Sequence, residues 1–149
     1  MSTKLGPDKL SLVVFSGEFD KVHYALVMAS GAQASNRETT LFFTMGACHA
    51  LLKKDATGEH PWREMTMNDQ GRAENGGARD DQFKDLGVGA FEELLSACVD
   101  MGVKFMVCEM GLRAEGLTRA ALREDVPFEE GGVVTFLNDA SKDGSILFI

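Results

Sequence analysis

The sequence lacks any run approaching the roughly 18 consecutive apolar residues that cross a bilayer, which argues against a membrane-spanning protein. Positive charge is also short. Fifteen Lys and Arg against 23 Asp and Glu leave a net charge of −8 with no basic cluster, and nucleic-acid affinity rests largely on Lys and Arg displacing counterions. Nucleic acid is therefore not an expected partner. Cysteine is sparse: Cys48, Cys98 and Cys108 are an odd set without a Cys-x-x-Cys pair. That pattern fits buried or reactive thiols better than a disulfide framework. The start, Met1 to Lys9, is short and polar and lacks the basic and apolar regions of a secretory signal, so the expected location is cytoplasmic. Low-complexity tracts are missing as well, so no segment is marked for disorder by composition.

What is present is an ordinary globular composition over 149 residues, a length near the commonest domain size. One domain spanning 1–149 is expected. Leu10 to Phe15 is a short apolar run rich in β-branched residues and reads as a buried strand. From Asp20, placed to cap, Val22, Leu26 and Ala29 recur at helical spacing until the pattern fades near Asn36. Thr39 to Thr44 reads as a second strand, and Gly46 opens a short helical segment holding Cys48 and His49. Gly89 to Met101 is helical, with Phe91, Leu94, Leu95 and Cys98 on one face and Gly102 as its stop. Lys104 to Cys108 is a third strand, and Glu109 to Glu115 turns into a helix. Thr118 to Glu124 reads as a short helix, Val126 to Phe128 as a fourth strand, Gly132 to Ser141 as a last helix and Ile146 to Ile149 as a fifth strand.

Between Lys53 and Asp85 the apolar periodicity fails. Trp62, Met65 and Met67 are its large apolar anchors, and the stretch reads as a long loop insertion serving as a lid, an assembly surface or a mobile segment. Outside it, strand and helix alternate about five times, which points to an α/β fold with parallel strands joined by right-handed crossovers. Every strand's carboxyl end then lies on one rim, where open α/β sheets gather their ligands and catalytic groups.

Four residues fall toward that rim: His23 after strand one, Cys48 and His49 after strand two, and Cys108 at the end of strand three. Cys98, late in a returning helix, belongs at the other end and reads as packing. Cys108 joins a buried strand to a helix N-terminus, where free amides and the helix dipole favour the reactive thiolate. The neighbouring Glu109 carboxylate opposes this if it points inward. Against chemistry stands the reading of Cys108 as a small buried hydrophobe. Cys48 reads first as a packed thiol and His23 as a first-turn helix residue. The donor types of His23, Cys48, His49 and Cys108 suit zinc, but no short ligand spacing supports it, so neither metal nor cofactor is expected. Ser16 to Asp20 reads as a turn and cap rather than a phosphate site. The Glu92-Glu93 and Glu129-Glu130 pairs read as solvated.

Four stretches in order carry a resemblance. They are Ala29 to Ala32 followed by Thr40 to Gly46; Phe83 to Gly87; Gly102 to Gly111, reading Gly-Val-Lys-Phe-Met-Val-Cys-Glu-Met-Gly; and Gly132 to Leu137 with the apolar end Leu147 to Ile149. Over nearly its whole length the chain resembles the DsrE/DsrF-like proteins, in particular the subgroup labelled peroxiredoxin-like. The resemblance implies a three-layer α/β/α sandwich with a five-stranded parallel sheet, and frequent homo-oligomers. It also implies that Cys108 carries a persulfide between sulfur donor and acceptor proteins, with no metal or organic cofactor, in the manner of a sulfurtransferase. Met45-Gly46-Ala47-Cys48 departs from the aromatic and Gly-Leu pair usual after the second strand, so the rim around Cys108 differs there. Two other functions stay open: a non-catalytic binding or assembly subunit, and a thiol redox protein with Cys48 as the resolving thiol.

Overall fold

The computed structural model describes residues 5–149, so the polar start read above lies partly outside it. Five strands, β1 (Lys9–Val14), β2 (Glu38–Phe43), β3 (Lys104–Val107), β4 (Phe128–Glu130) and β5 (Ser145–Phe148), form one sheet in the order β4-β3-β2-β1-β5. Every neighbouring pair is parallel. The helices are α1 (Phe19–Ala34), α2 (Gly76–Asp85), α3 (Phe91–Met101), α4 (Glu109–Ala114) and α5 (Val133–Asp139), with 3₁₀ segments at Met45–Leu51, Pro61–Glu64 and Arg119–Ala121. No described helix is long and apolar enough to cross a membrane.

The strand order determines the layers. From β1 to β4 each step moves one place in the same direction, and right-handed crossovers then put the connecting helices on one face. The step from β4 back to β5 runs the other way, so α5 lies on the opposite face. Packing follows this division because strand side chains alternate. Leu12, Leu41, Phe43, Phe105 and Val107 bury against Leu26 of α1 and Leu95 of α3 in the main core. Phe42 and Met106 point the other way and pack with Phe136 of α5 and Cys108. The rings of Phe42 and Phe136 stack with centroids 5.0 Å apart. The result is the three-layer α/β/α sandwich read from the sequence.

Several local readings are corrected. The segment 53–85 contains α2, which periodicity missed because the helix buries Gly76, Gly77 and Asp80 rather than large apolar side chains. A Cβ at Gly76 would lie 2.7 Å from the Phe19 ring, so only glycine lets this backbone approach. Asn75 caps α2, its Oδ1 accepting from the Ala78 amide at 2.9 Å. Trp62, Met65 and Met67 are buried anchors as expected. Asp20 does not cap α1. Its carboxylate instead accepts the amides of Asn68 and Asp69 at 2.8 and 2.9 Å, tying the segment to the helix. Glu92 is not merely solvated either: it accepts from Trp62 Nε1 at 2.9 Å and from both terminal nitrogens of the buried Arg123 at 2.9 and 2.7 Å. Strand four is shifted to Phe128–Glu130, since Pro127 has no amide to donate and Val126 is drawn into the main core. After Thr118, which makes no side-chain cap, only Arg119–Ala121 is helical.

One carboxylate latches α5 to the sheet. Asp139, at the last turn, accepts from the Thr40 hydroxyl at 2.6 Å and pairs with Lys104 at 2.6 Å and Lys9 at 3.0 Å. Burial alone would raise its pKa. The hydrogen bonds from Lys104, Thr40 and Lys9 outweigh burial and bring it down from 3.8 to about 2. A folded-state pKa below the unfolded one stabilises the fold above the unfolded value, and this stabilisation is lost as pH falls through the folded one. Asp139→Asn is expected to lower stability at pH 7 by about 1–2 kcal/mol. Urea denaturation should show the variant closing most of its gap to the parent between pH 4 and pH 2.

Candidate functional site

The neighbouring strands β3 and β4 send their chains to opposite faces. After β3 the chain turns into α4, whose Leu112 joins the main core, whereas after β4 it turns into α5 and Phe136 joins the other cluster. Adjacent strands whose exits diverge this way leave a crevice outside their carboxyl ends, the usual ligand position in open α/β sheets. Here the crevice is about 300 Å³, walled by Glu109 and Met110 on one side and Glu130, Gly131 and Gly132 on the other, with Cys108 among its lining residues.

Local structure places Cys108 there. Its amide donates to the Phe43 carbonyl at 2.9 Å, prolonging the β2–β3 ladder by one residue. Its side chain then falls at the N-cap of α4, where Sγ accepts from the Gly111 amide at 3.4 Å. Only 3% of the residue is exposed, so the side chain is buried at the edge of the crevice and not on an open surface. Glu109 points outward and pairs with Arg113 at 2.9 Å; it does not sit over the thiol. Across the crevice, the Gly131 amide donates to the Val107 carbonyl at 3.2 Å.

The other rim residues divide. Cys48 is fully buried in the 3₁₀ segment Met45–Leu51, and burial, reinforced by the neighbouring Cys108 thiol and the Glu115 carboxylate, pushes its pKa up to about 12. His49 Nε2 lies 3.1 Å from Glu115 Oε1, a half-exposed pair near the end of α4. Cys48, His49, Glu115 and Cys108 therefore occupy one neighbourhood. His23 does not join it: its ring packs on Phe19 and Phe83, and Nε2 donates to the Gly89 carbonyl at 2.8 Å, inside the layer of α1, α2 and α3. Burial lowers its pKa, so it is held neutral near pH 7. Among the described residues, no three His, Cys, Asp or Glu side chains converge on a metal-sized gap. Cys98 packs as read, its thiol donating to the Leu26 carbonyl at 3.8 Å and its pKa pushed up to about 12 by burial.

Two contributors to the site were missed in the sequence. The Gly131-Gly132 pair forms the far wall, and a Cβ at Gly131 would come within 2.9 Å of Met106 Sδ. Gly111 lets the first turn of α4 sit on the end of β2, with Thr44 Oγ1 and the Met45 amide nitrogen directly over its Cα. A glycine pair before a helix and a glycine three residues after a cysteine were the available signals. A larger cavity of about 810 Å³ opens at the carboxyl ends of β1, β2 and β5, but Cys108 does not line it.

A model of the DsrE/DsrF/DrsH-like family matches residues 7–148. YrkE of Bacillus subtilis (strain 168), an uncharacterized protein, is 27% identical over 159 aligned residues, covering 95% of this chain and 96% of YrkE. Among solved structures, YchN of E. coli superposes with a TM-score of 0.57 at 16% identity, covering 95% of this chain and 98% of YchN. MTH1491 of Methanobacterium thermoautotrophicum, a protein of unknown function, gives 0.55 at 12% identity with the same coverages. At these identities the two structures establish the fold alone.

Gly111→Ala is the expected weak point of the site. Its Cβ would meet the Thr44 hydroxyl and lie 2.7 Å from the Met45 nitrogen, a backbone atom that cannot swing aside. Equilibrium denaturation should show a loss of about 2–3 kcal/mol, the scale of overpacking. Native Cys108 should also react faster with a thiol-specific reagent as α4 lifts from the sheet.

Proposed function

The chain belongs to the DsrE/DsrF/DrsH-like family, and from that premise we propose that it is a sulfur carrier, sulfurtransferase-like, that holds sulfur as a persulfide on Cys108 between donor and acceptor proteins. The observation that carries this reading is Cys108 among the residues lining the β3/β4 crevice, its Sγ receiving the Gly111 amide at 3.4 Å. In the first half-reaction the Cys108 thiolate attacks the terminal sulfur of a donor persulfide. A new S–S bond forms, the donor's S–S bond breaks, and the donor leaves as a thiolate. In the second half an acceptor thiolate attacks the outer sulfur of Cys108 in the same way. Both steps are exchanges between thiolate and sulfane sulfur and need no external oxidant.

Cys48 supports a one-thiol carrier over a two-thiol redox protein. With its pKa near 12 it stays protonated at neutral pH, and the thiol is a poor nucleophile. A second reading is favoured by one observation: Cys108 is packed with Phe42, Met106 and Phe136, while α5 exposes Val133, Val134 and Leu137. An assembly role would use that apolar surface, against a second copy or another protein, and leave the thiol as packing.

Incubation with a protein persulfide or with polysulfide, followed by intact-mass measurement, tests the carrier reading. The parent should gain one sulfur atom, Cys108→Ser none, and Cys48→Ser as much as the parent. Sulfur still acquired by Cys108→Ser, or none acquired by the parent, would give the assembly reading precedence.

A further inference from the structure

The cavity at the carboxyl ends of β1, β2 and β5 is not used by the chemistry proposed for Cys108, and its lining is unlike that of the crevice. At about 810 Å³ it falls in the range of small-molecule sites, roughly 300–1,000 Å³. We infer that it binds a small organic ammonium ion with a flat apolar body.

One wall is aromatic. Phe15, just past β1, and Phe148, on β5, are in contact with ring centroids 5.2 Å apart and planes tilted by 35°. Both stay open to solvent, Phe15 by 43% and Phe148 by 70%. They offer ring faces to a flat group and to a cation, which the aromatic quadrupole attracts. The floor is backbone. A Cβ at Gly46 would lie 2.9 Å from the Gly17 nitrogen, so two glycines allow the loops after β1 and β2 to touch. Met45 begins the second loop at φ +49°, a left-handed conformation uncommon for a side chain of its size, and it joins the lining. Such backbone strain persists where surrounding structure enforces it, often around ligands.

The charge of the lining chooses the ligand's sign. Glu18 is answered within the cavity by Lys21 at 3.4 Å and by the Ser16 hydroxyl, which donates to it at 3.2 Å. Glu115 has no cationic side chain of Lys or Arg beside it among the described residues; His49 Nε2, 3.1 Å from its Oε1, is a hydrogen-bond partner. One carboxylate without a Lys or Arg partner in the same lining as an aromatic pair, on a chain of net charge −8, attracts a monocation and repels anions.

Calorimetric titration of the full chain with phenethylamine, 2-phenylethanol and phenylacetate tests this. Phenethylamine should bind saturably, the alcohol about tenfold more weakly, and phenylacetate not measurably, the scale of a half-exposed ion pair with a cation–π contribution. Glu115→Gln should bring the amine to the level of the alcohol. Phe148→Ser and Phe15→Ser, each checked by thermal melting for an intact fold, should weaken amine and alcohol alike. Equal affinity for all three probes, no binding of the amine, or amine binding unchanged in Glu115→Gln and both Phe variants would overturn the inference. So would sedimentation showing a stable dimer that excludes the amine and that Phe148→Ser dissociates, since the cavity would then be an interface between copies.

Discussion

The handedness of parallel crossovers is the constraint from which the rest of the molecule follows. Three successive steps across the sheet place α1, α3 and α4 on one face, and a single return step to β5 leaves α5 alone on the other. A seven-residue helix cannot cover five strands. The second face is therefore thin: its buried cluster is Phe42, Met106, Cys108 and Phe136, and Asp139 adds what packing does not by drawing Thr40, Lys9 and Lys104 onto the end of the helix. The same divergence opens the crevice between β3 and β4. Architecture and candidate chemistry thus come from one topological choice.

That arrangement bears on what the Cys108 thiol can do. Its sulfur is packed on one side by hydrocarbon and held on the other by a backbone amide at 3.4 Å. A thiol so placed is shielded from bulk oxidants, and its chemistry depends on whether the crevice opens onto it. Cys48 is nearby yet sealed, and two buried thiols under one helix raise the cost of ionising Cys48 further. The carrier reading and the assembly reading differ in whether the crevice admits a reactant, and both use the same packing.

Legibility in the sequence followed the kind of interaction involved. Strands such as Leu10 to Phe15 and Thr39 to Thr44 were readable because burial on both faces demands continuous apolar runs, and α3 because it has one apolar stripe. The helix Gly76–Asp85 was not readable. It is held by a cap, two glycines in close contact and a buried Asp80 whose carboxylate accepts the Phe91 amide at 2.8 Å, none of which leaves an apolar period. For the same reason Glu92 looked like a surface acid. Its partners Trp62 and Arg123 lie 30 and 31 residues away on either side, and no local pattern announces such a meeting.

The sequence by itself determined the α/β class, the parallel sheet and the position of Cys108 at the end of the third strand, because these depend on local periodicity and on the residue where an apolar run stops. Only the tertiary structure decided that His23 turns into the helical layer, that Cys48 is sealed beside Cys108, and that β3 and β4 part to leave a crevice with Cys108 in its lining. Those outcomes depend on strand order and on which distant backbones glycine allows to touch, and neither is written in the spacing of residues along the chain.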